Sequence, residues 1–217
     1  MKIAIFGDIH GNLIALNRFI EVTISVVDKF ICIGDIVNYG PWNDECLELI
    51  YKLPDITIIE GNHEKLFLGQ EPIKCELPLV QEFFQKSFEN FSRVDLIKDL
   101  KHDFKISNYM CAHTINNLRI YQNTDIQIEI TNNFIIGHTH HQFSISKNNY
   151  KIINTGSIGQ NRNFIDLAQY LILDTTTDTI TFHSVQYDIE KFIYELTIRD
   201  YSKNCISYYQ NKKRSNK

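Results

Sequence analysis

Three apolar runs in the first third of the chain, Lys2–Phe6, 30–33 and 56–59, each lead into glycine and a polar residue: Gly7-Asp8, Gly34-Asp35 and Gly61-Asn62. Runs this short and this apolar read as strands. Helical periodicity follows the first through Leu13, Leu16 and Ile20, and the second, after Pro41, through Cys46, Leu47, Leu49 and Ile50. Strands alternating with helices imply parallel pairing, and the loops at the carboxyl ends of such strands collect ligands. The chain is therefore committed to delivering three polar clusters to one edge of one sheet.

Residues 78–91 are amphipathic, with Val80, Phe83, Phe84 and Phe88 on one side, which predicts a helix. Beyond it the texture changes to short strands near Phe104 and at 109–111, 134–136, 151–153, 170–173 and 179–185, together read as a second sheet. Residues 188–209 read as one or two helices, and 211–217 as a basic, flexible end. The expected architecture is α/β (α+β), a two-sheet β sandwich flanked by helices, in a single domain over 1–210. A chain of 217 residues suffices for that, since it buries roughly 70% of the surface its unfolded form exposes.

Acidic residues outnumber basic ones, 26 Asp+Glu against 22 Lys+Arg for a net charge of -4, which argues against a protein that coats long duplex nucleic acid or anionic membrane. Five cysteines, Cys32, Cys46, Cys75, Cys111 and Cys205, show no paired spacing and read as packing residues in a reducing compartment. No apolar run approaches the roughly 20 residues of a membrane span, and the first run is too short for a signal-peptide core. A cytoplasmic location and no membrane partner are expected.

The informative polar residues are Asp8, His10, Asp35, Asn62, His63, His113, His138 and His140, each placed just after a strand-like run. In Asp8-x-His10 and His138-x-His140 the spacing puts both side chains on the same side of an extended segment. Carboxylate, amide and imidazole donors together suit Mn, Fe, Zn, Co or Ni, whereas an all-oxygen set would suggest Mg or Ca. Seven ligands are too many for one ion. They fill two sites, with ions about 3.5–4 Å apart, if one carboxylate bridges. Two divalent ions against two carboxylates leave a positive balance that a phosphate ester can neutralise. Five of the eight histidines fall in these clusters. The remaining three, His102, His141 and His183, read as ordinary positions, with His141 pointing away from His140.

The ordered motifs Asp8-x-His10, Gly34-Asp35, Gly61-Asn62-His63-Glu64, His113 and Gly137-His138-x-His140 resemble those of the calcineurin-like metallophosphoesterase superfamily. That resemblance implies that Asp8, His10 and His140 hold one metal, that Asn62, His113 and His138 hold the other, and that Asp35 bridges them. Manganese is the first expectation, with Fe, Zn, Ni or Co as alternatives. It also implies hydrolysis of a phosphodiester, nucleotide-like or small, by a hydroxide shared between the ions, with His63 contacting phosphate and protonating the leaving group.

Within the superfamily, Glu64 leans toward phosphoprotein phosphatases and dinucleoside-tetraphosphate hydrolases. The phosphoprotein phosphatases, however, follow the bridging Asp with an Asp-Arg pair, where this chain has Val37-Asn38-Tyr39-Gly40-Pro41. They also lack the second His of Gly-His-x-His. That pair, and the N-x-G-S stretch at Asn154-Thr155-Gly156-Ser157, look like the small phosphodiesterases of the YfcE-like type. Arg162 is a candidate to fork onto a phosphate, Asn12 to hydrogen-bond the ester, and Tyr39 or Trp42 to stack on a base. The alternatives are a phosphomonoesterase or protein phosphatase, a dinucleoside-tetraphosphate hydrolase, and a non-catalytic scaffold of the same fold. Oligomeric state is left open.

Overall fold

The computed structural model describes residues 1–215. β1 (Lys2–Phe6), β2 (Lys29–Cys32) and β3 (Ile56–Ile58) pair in parallel, linked by α1 (Leu13–Thr23) and α2 (Asn43–Ile50). α3 (Asn62–Phe67) follows β3, and α4 (Pro78–Phe88) and α5 (Val94–Ile97) lead to the second half. There β4 (Asp103–Ile106), β5 (Tyr109–Ala112), β6 (Asn133–Ile136), β7 (Gln142–Lys147) and β8 (Tyr150–Thr155) form the second sheet, in the order β4-β5-β6-β8-β7. β5, β6 and β8 run parallel to one another.

The last two strands, β9 (Leu167–Asp174) and β10 (Thr179–Gln186), correct the expectation that they belong to the second sheet. They complete the first sheet, whose order is β10-β9-β1-β2-β3. The physical reason lies in β1, which is paired with β2 on one edge only and needs acceptors and donors on the other. β9 supplies them in antiparallel register, Ile3 opposite Leu173 and Ile5 opposite Leu171. α6 (Ile189–Ile198) and α7 (Lys203–Gln210) close the chain.

Alternation along β1 builds two cores at once. Ile3 and Ile5, with Ile31, Ile33, Leu171 and Leu173, meet Tyr109, Cys111, Ile135 and Ile153 of the second sheet. Ala4 and Phe6 face the opposite way, onto Leu16 and Phe19 of α1, Leu47 of α2, Phe192 of α6 and Tyr209 of α7. A strand buried on both faces reads as an unbroken apolar run, which is why it was visible in the sequence. Four cysteines are buried, as packing residues should be, but Cys75 is exposed in a short 3-10 turn. Residues 211–215, expected as a flexible end, bond back to the body: Ile165 N–H donates to Lys213 O at 2.9 Å and Ser215 N–H to Asp166 Oδ1 at 2.8 Å. Asn216 and Lys217 lie outside the described residues. No helix among the described residues is long and apolar enough to cross a membrane.

Candidate metal centre

The clustered polar residues sit past the carboxyl ends of parallel strands, at one end of the sandwich. Asp8 and His10 follow β1, Asp35 follows β2, and Asn62 and His63 open α3 after β3; His113 follows β5, and His138 and His140 follow β6. They do not lie on extended segments, which corrects the spacing argument. Asp8, His10, Asp35, His138 and His140 all have left-handed backbone, with φ of 51°, 52°, 52°, 69° and 59°. Each such residue costs on the order of 1–2 kcal/mol outside glycine, so five in one cleft store strain that the surroundings must hold.

Hydrogen bonds supply that hold. Asp8 N–H donates to Gly34 O at 2.9 Å, and His10 N–H to Asp35 O at 3.0 Å, which stitches the first loop to the second. Ser157 Oγ donates to Asp8 O at 2.7 Å and Asn154 Nδ2 to Gly137 O at 2.7 Å, so the N-x-G-S stretch braces the first and last motifs. Glu64 is fully buried, and its carboxylate accepts the N–H groups of Asp35 (2.8 Å), Ile36 (2.7 Å), Val37 (3.2 Å) and Gly61 (2.7 Å). Burial, with the Asp35 charge beside it, pushes the Glu64 carboxyl up to about 7, and the backbone donors resist that rise. Gly61 is required by close approach, because a Cβ there would lie 2.1 Å from Asp35 Oδ1.

The side-chain donor atoms form two groups, Asp8, His10, Asp35 and His140 in one and Asp35, His113 and His138 in the other, each within 4.8 Å of one another. Asp35 is common to both. Asn62 Oδ1 joins the second group, 3.1 Å from His113 Nε2 and 2.8 Å from His138 Nδ1. The tautomers follow from the backbone. Nδ1 of His10, His113 and His140 faces the carbonyls of Val37 (3.3 Å), Ile33 (2.8 Å) and Gln160 (3.1 Å). A carbonyl only accepts, so Nδ1 carries a proton in each ring and Nε2 is turned inward. Nε2 of His10 and Nε2 of His140 then face each other at 3.0 Å, lone pair against lone pair, with Asp8 Oδ1 3.1 Å from the latter. Acceptors crowded this way repel one another unless a cation lies among them, so the residues fit a divalent metal.

Electrostatics agree with that reading. Burial, then His140 and His63, hold His10 well below its ordinary pKa, and burial with His113 lowers His138 to about 4, so both rings are neutral at pH 7 and free to offer a lone pair to a cation. At His113 burial works downward, but Asp35, 3.1 Å away, outweighs it and raises the ring to about 10. Burial likewise opposes the Asp35 charge, yet His113 and His63 keep its carboxyl well below the usual range. In metal-free protein His113 thus carries a proton on the side facing Asp35. The His113 pKa is raised on folding from 6.5 to about 10, so its contribution to stability is complete below pH 6.5 and is lost as pH climbs to about 10. Metal-free protein is expected to become less stable over that window, while metal affinity rises about tenfold per pH unit for one displaced proton. Thermal melts with and without metal, and calorimetry in buffers of different ionisation enthalpy, check both slopes.

His63 lies beside these groups, its Nε2 3.9 Å from Asp35 Oδ2, with burial as the main cause of a lowered pKa. Two cavities meet at the cluster. One, of about 520 Å³, is lined by Asn62, His113, His138 and Arg119 on the side of Met110 and Phe134. The other, of about 310 Å³, is lined by Asp35, His63, His140, Tyr39, Arg119 and Arg162. Arg162 lines this second cavity, held against Tyr208 by a hydrogen bond to its hydroxyl. Asn12 does not. It is fully buried as the N-cap of α1, its Oδ1 accepting Ala15 N–H at 3.1 Å and its amide donating to Gly159 O and Tyr187 Oη, so the helix start consumes the side chain expected at the ester. Trp42 packs on Phe192 in the core, whereas Tyr39 lines the cleft. His141 faces the cleft too, near Tyr121, contrary to the expectation that it points away. Arg119 was missed: it lies in the irregular stretch between β5 and β6, where no periodicity marks it.

The fold and this arrangement agree with what comparison finds. The calcineurin-like phosphoesterase superfamily domain matches residues 1–178, and the chain belongs to that family, a superfamily of metal-dependent phosphoester hydrolases. It is 28% identical to an uncharacterised protein of Methanocaldococcus jannaschii, over 91% of this chain and 92% of that one. Its fold is similar to that of a metallophosphoesterase from Sphaerobacter thermophilus, with TM-score 0.77 at 22% identity, covering 97% of this chain and 99% of that chain. It is also similar to a hypothetical protein from Pyrococcus horikoshii OT3, with TM-score 0.80 at 15% identity, covering 96% and 97%.

Proposed function

We propose that the protein hydrolyses phosphodiesters of small or nucleotide-like character with two divalent ions, manganese first among them. The observation that carries this reading is the pair of donor groups sharing Asp35. In it, Asp8, His10 and His140 hold one ion, Asn62, His113 and His138 the other, and Asp35 belongs to both. Bound there, such ions supply positive charge to phosphate oxygens and a nucleophile at neutral pH. The chain's own groups do the rest. His63 offers its Nε2 to the phosphate or the leaving oxygen, and Arg162 and Arg119 draw the anion into the cleft.

The diester preference rests on the cleft extending to both sides of the cluster, about 520 Å³ on one and 310 Å³ on the other, so both substituents of an internal phosphorus find room. It is in keeping with the YfcE-like character of the Gly-His-x-His and N-x-G-S motifs. We place the protein in the cytoplasm, acting on a small substrate. Arg119, which makes no hydrogen bond or ion pair with the described residues, is expected to contribute through one charge-assisted contact. Arg119→Gln should raise KM about tenfold with little change in kcat, as steady-state kinetics will show. The reading itself is tested by assaying manganese-loaded protein on bis-p-nitrophenyl phosphate and p-nitrophenyl phosphate. Faster turnover of the first supports the diesterase, preference for the second makes it a monoesterase, and inertness toward both at full metal occupancy makes it a scaffold.

A further inference from the structure

Asn38, three residues after Asp35 in sequence and fully buried beside the site, makes a bond that bears on what His63 can do. Its amide nitrogen Nδ2 is 2.9 Å from His63 Nδ1. The orientation of that amide is fixed from the other side. Tyr39 N–H donates to Asn38 Oδ1 at 2.7 Å, and Ser87 Oγ lies 3.0 Å from the same oxygen. A backbone N–H cannot face an amide NH2, so Oδ1 stays where it is and Nδ2 stays toward the ring. The backbone around it is equally constrained: Asn38 N–H donates to Asn43 Oδ1 at 2.8 Å, Gly40 N–H donates to Asn38 O at 2.8 Å, and φ is 76°. An NH2 group only donates, so His63 Nδ1 must accept with its lone pair. The ring proton is then on Nε2, which lies 3.9 Å from Asp35 Oδ2, in a side chain that lines the cleft.

The geometry assigns Asn38 the role of a positioning residue that holds His63 as its Nε2–H tautomer, a hydrogen-bond donor to substrate rather than a proton donor to the leaving group. The inference rests on the phosphoesterase reading and narrows it to substrates with a leaving oxygen of low basicity. The balance is simple. A water oxygen bonds to phosphorus and its proton passes to solvent; the bond from phosphorus to the leaving oxygen breaks with its electron pair; and that oxygen departs as an anion, while the His63 proton remains on Nε2. An alkoxide leaves poorly in this way, and a phenolate or phosphate leaves well. An aspartate at position 38 would instead accept from Nδ1–H, which frees Nε2 to take up and hand on a proton.

Two measurements test this. In zinc-loaded protein, nitrogen-15 spectra of the histidine rings should show His63 Nδ1 as an unprotonated acceptor and Nε2 protonated; a proton on Nδ1 overturns the assignment, whatever the activity. On a series of aryl methyl phosphates from 2,4-dinitrophenyl to phenyl, kcat/KM of the manganese enzyme should fall steeply as the leaving phenol becomes more basic. Asn38→Asp should flatten that dependence, improving the phenyl member at least about tenfold relative to the dinitrophenyl member. Equal slopes in the two proteins, or an equal loss on every member of the series, would overturn the proposal. If the wild type turns over no ester, the phosphoesterase reading fails, and the ring spectra still decide the tautomer.

Discussion

Asp35→Asn should lower hydrolysis of bis-p-nitrophenyl phosphate by roughly 10²–10³-fold or more, and reduce bound manganese from two ions to one or none. Asp35 alone belongs to both donor groups, so one changed atom weakens two sites. The folded loop should survive, because an asparagine oxygen still accepts the His63 N–H that Asp35 Oδ1 receives at 2.9 Å. Metal content by emission spectroscopy and steady-state rates, taken on the same preparation, give the answer. Retention of both ions with near-native turnover would remove Asp35 from the centre.

Glu64→Ala should cost about 4 kcal/mol or more of stability, since it strips the acceptor from four buried backbone N–H groups that each cost about 1–3 kcal/mol when unpaired. For a chain of this size that is a fall in melting temperature on the order of 10 °C. Glu64→Gln is the sharper variant. It keeps the shape, but every partner of the carboxylate is an N–H donor, so the new NH2 must point at one or more of them. Urea unfolding of metal-free protein should therefore find Gln nearly as costly as Ala. A Gln variant within about 1 kcal/mol of wild type would show that solvent or loop movement satisfies those groups.

Glu64 also illustrates what the sequence could and could not say. Its place after Asn62 and His63 was legible as a motif, but its chemistry was not, because three of the four groups it binds lie 27 to 29 residues earlier in the chain. The strands of the first sheet were readable from β1, β2 and β3, whose burial on both faces leaves continuous apolar runs. β7, with exposed and half-buried residues over most of its length, left no such mark, and β9 gave no clue to which sheet it joins. The candidate ligands were legible because their residue types and order are unusual together. How they converge was not, since left-handed turns at Asp8, His10, His138 and His140 replace the extended backbone that spacing suggests. Asn12 misled for a related reason: an asparagine after a glycine fits an ester contact and a helix cap equally well until the helix is seen. Arg119 and Asn38 lie in irregular backbone, where only three-dimensional neighbours give a side chain its meaning.

The most direct test of the central claim is anomalous diffraction at the manganese edge from crystals soaked in Mn(II). Two peaks about 3.5–4 Å apart, on either side of the Asp35 carboxylate and within reach of His10 and His138 respectively, are the predicted result. A single peak, or none, with Asp35 still bonded to His113 as it is at 3.1 Å, would contradict it.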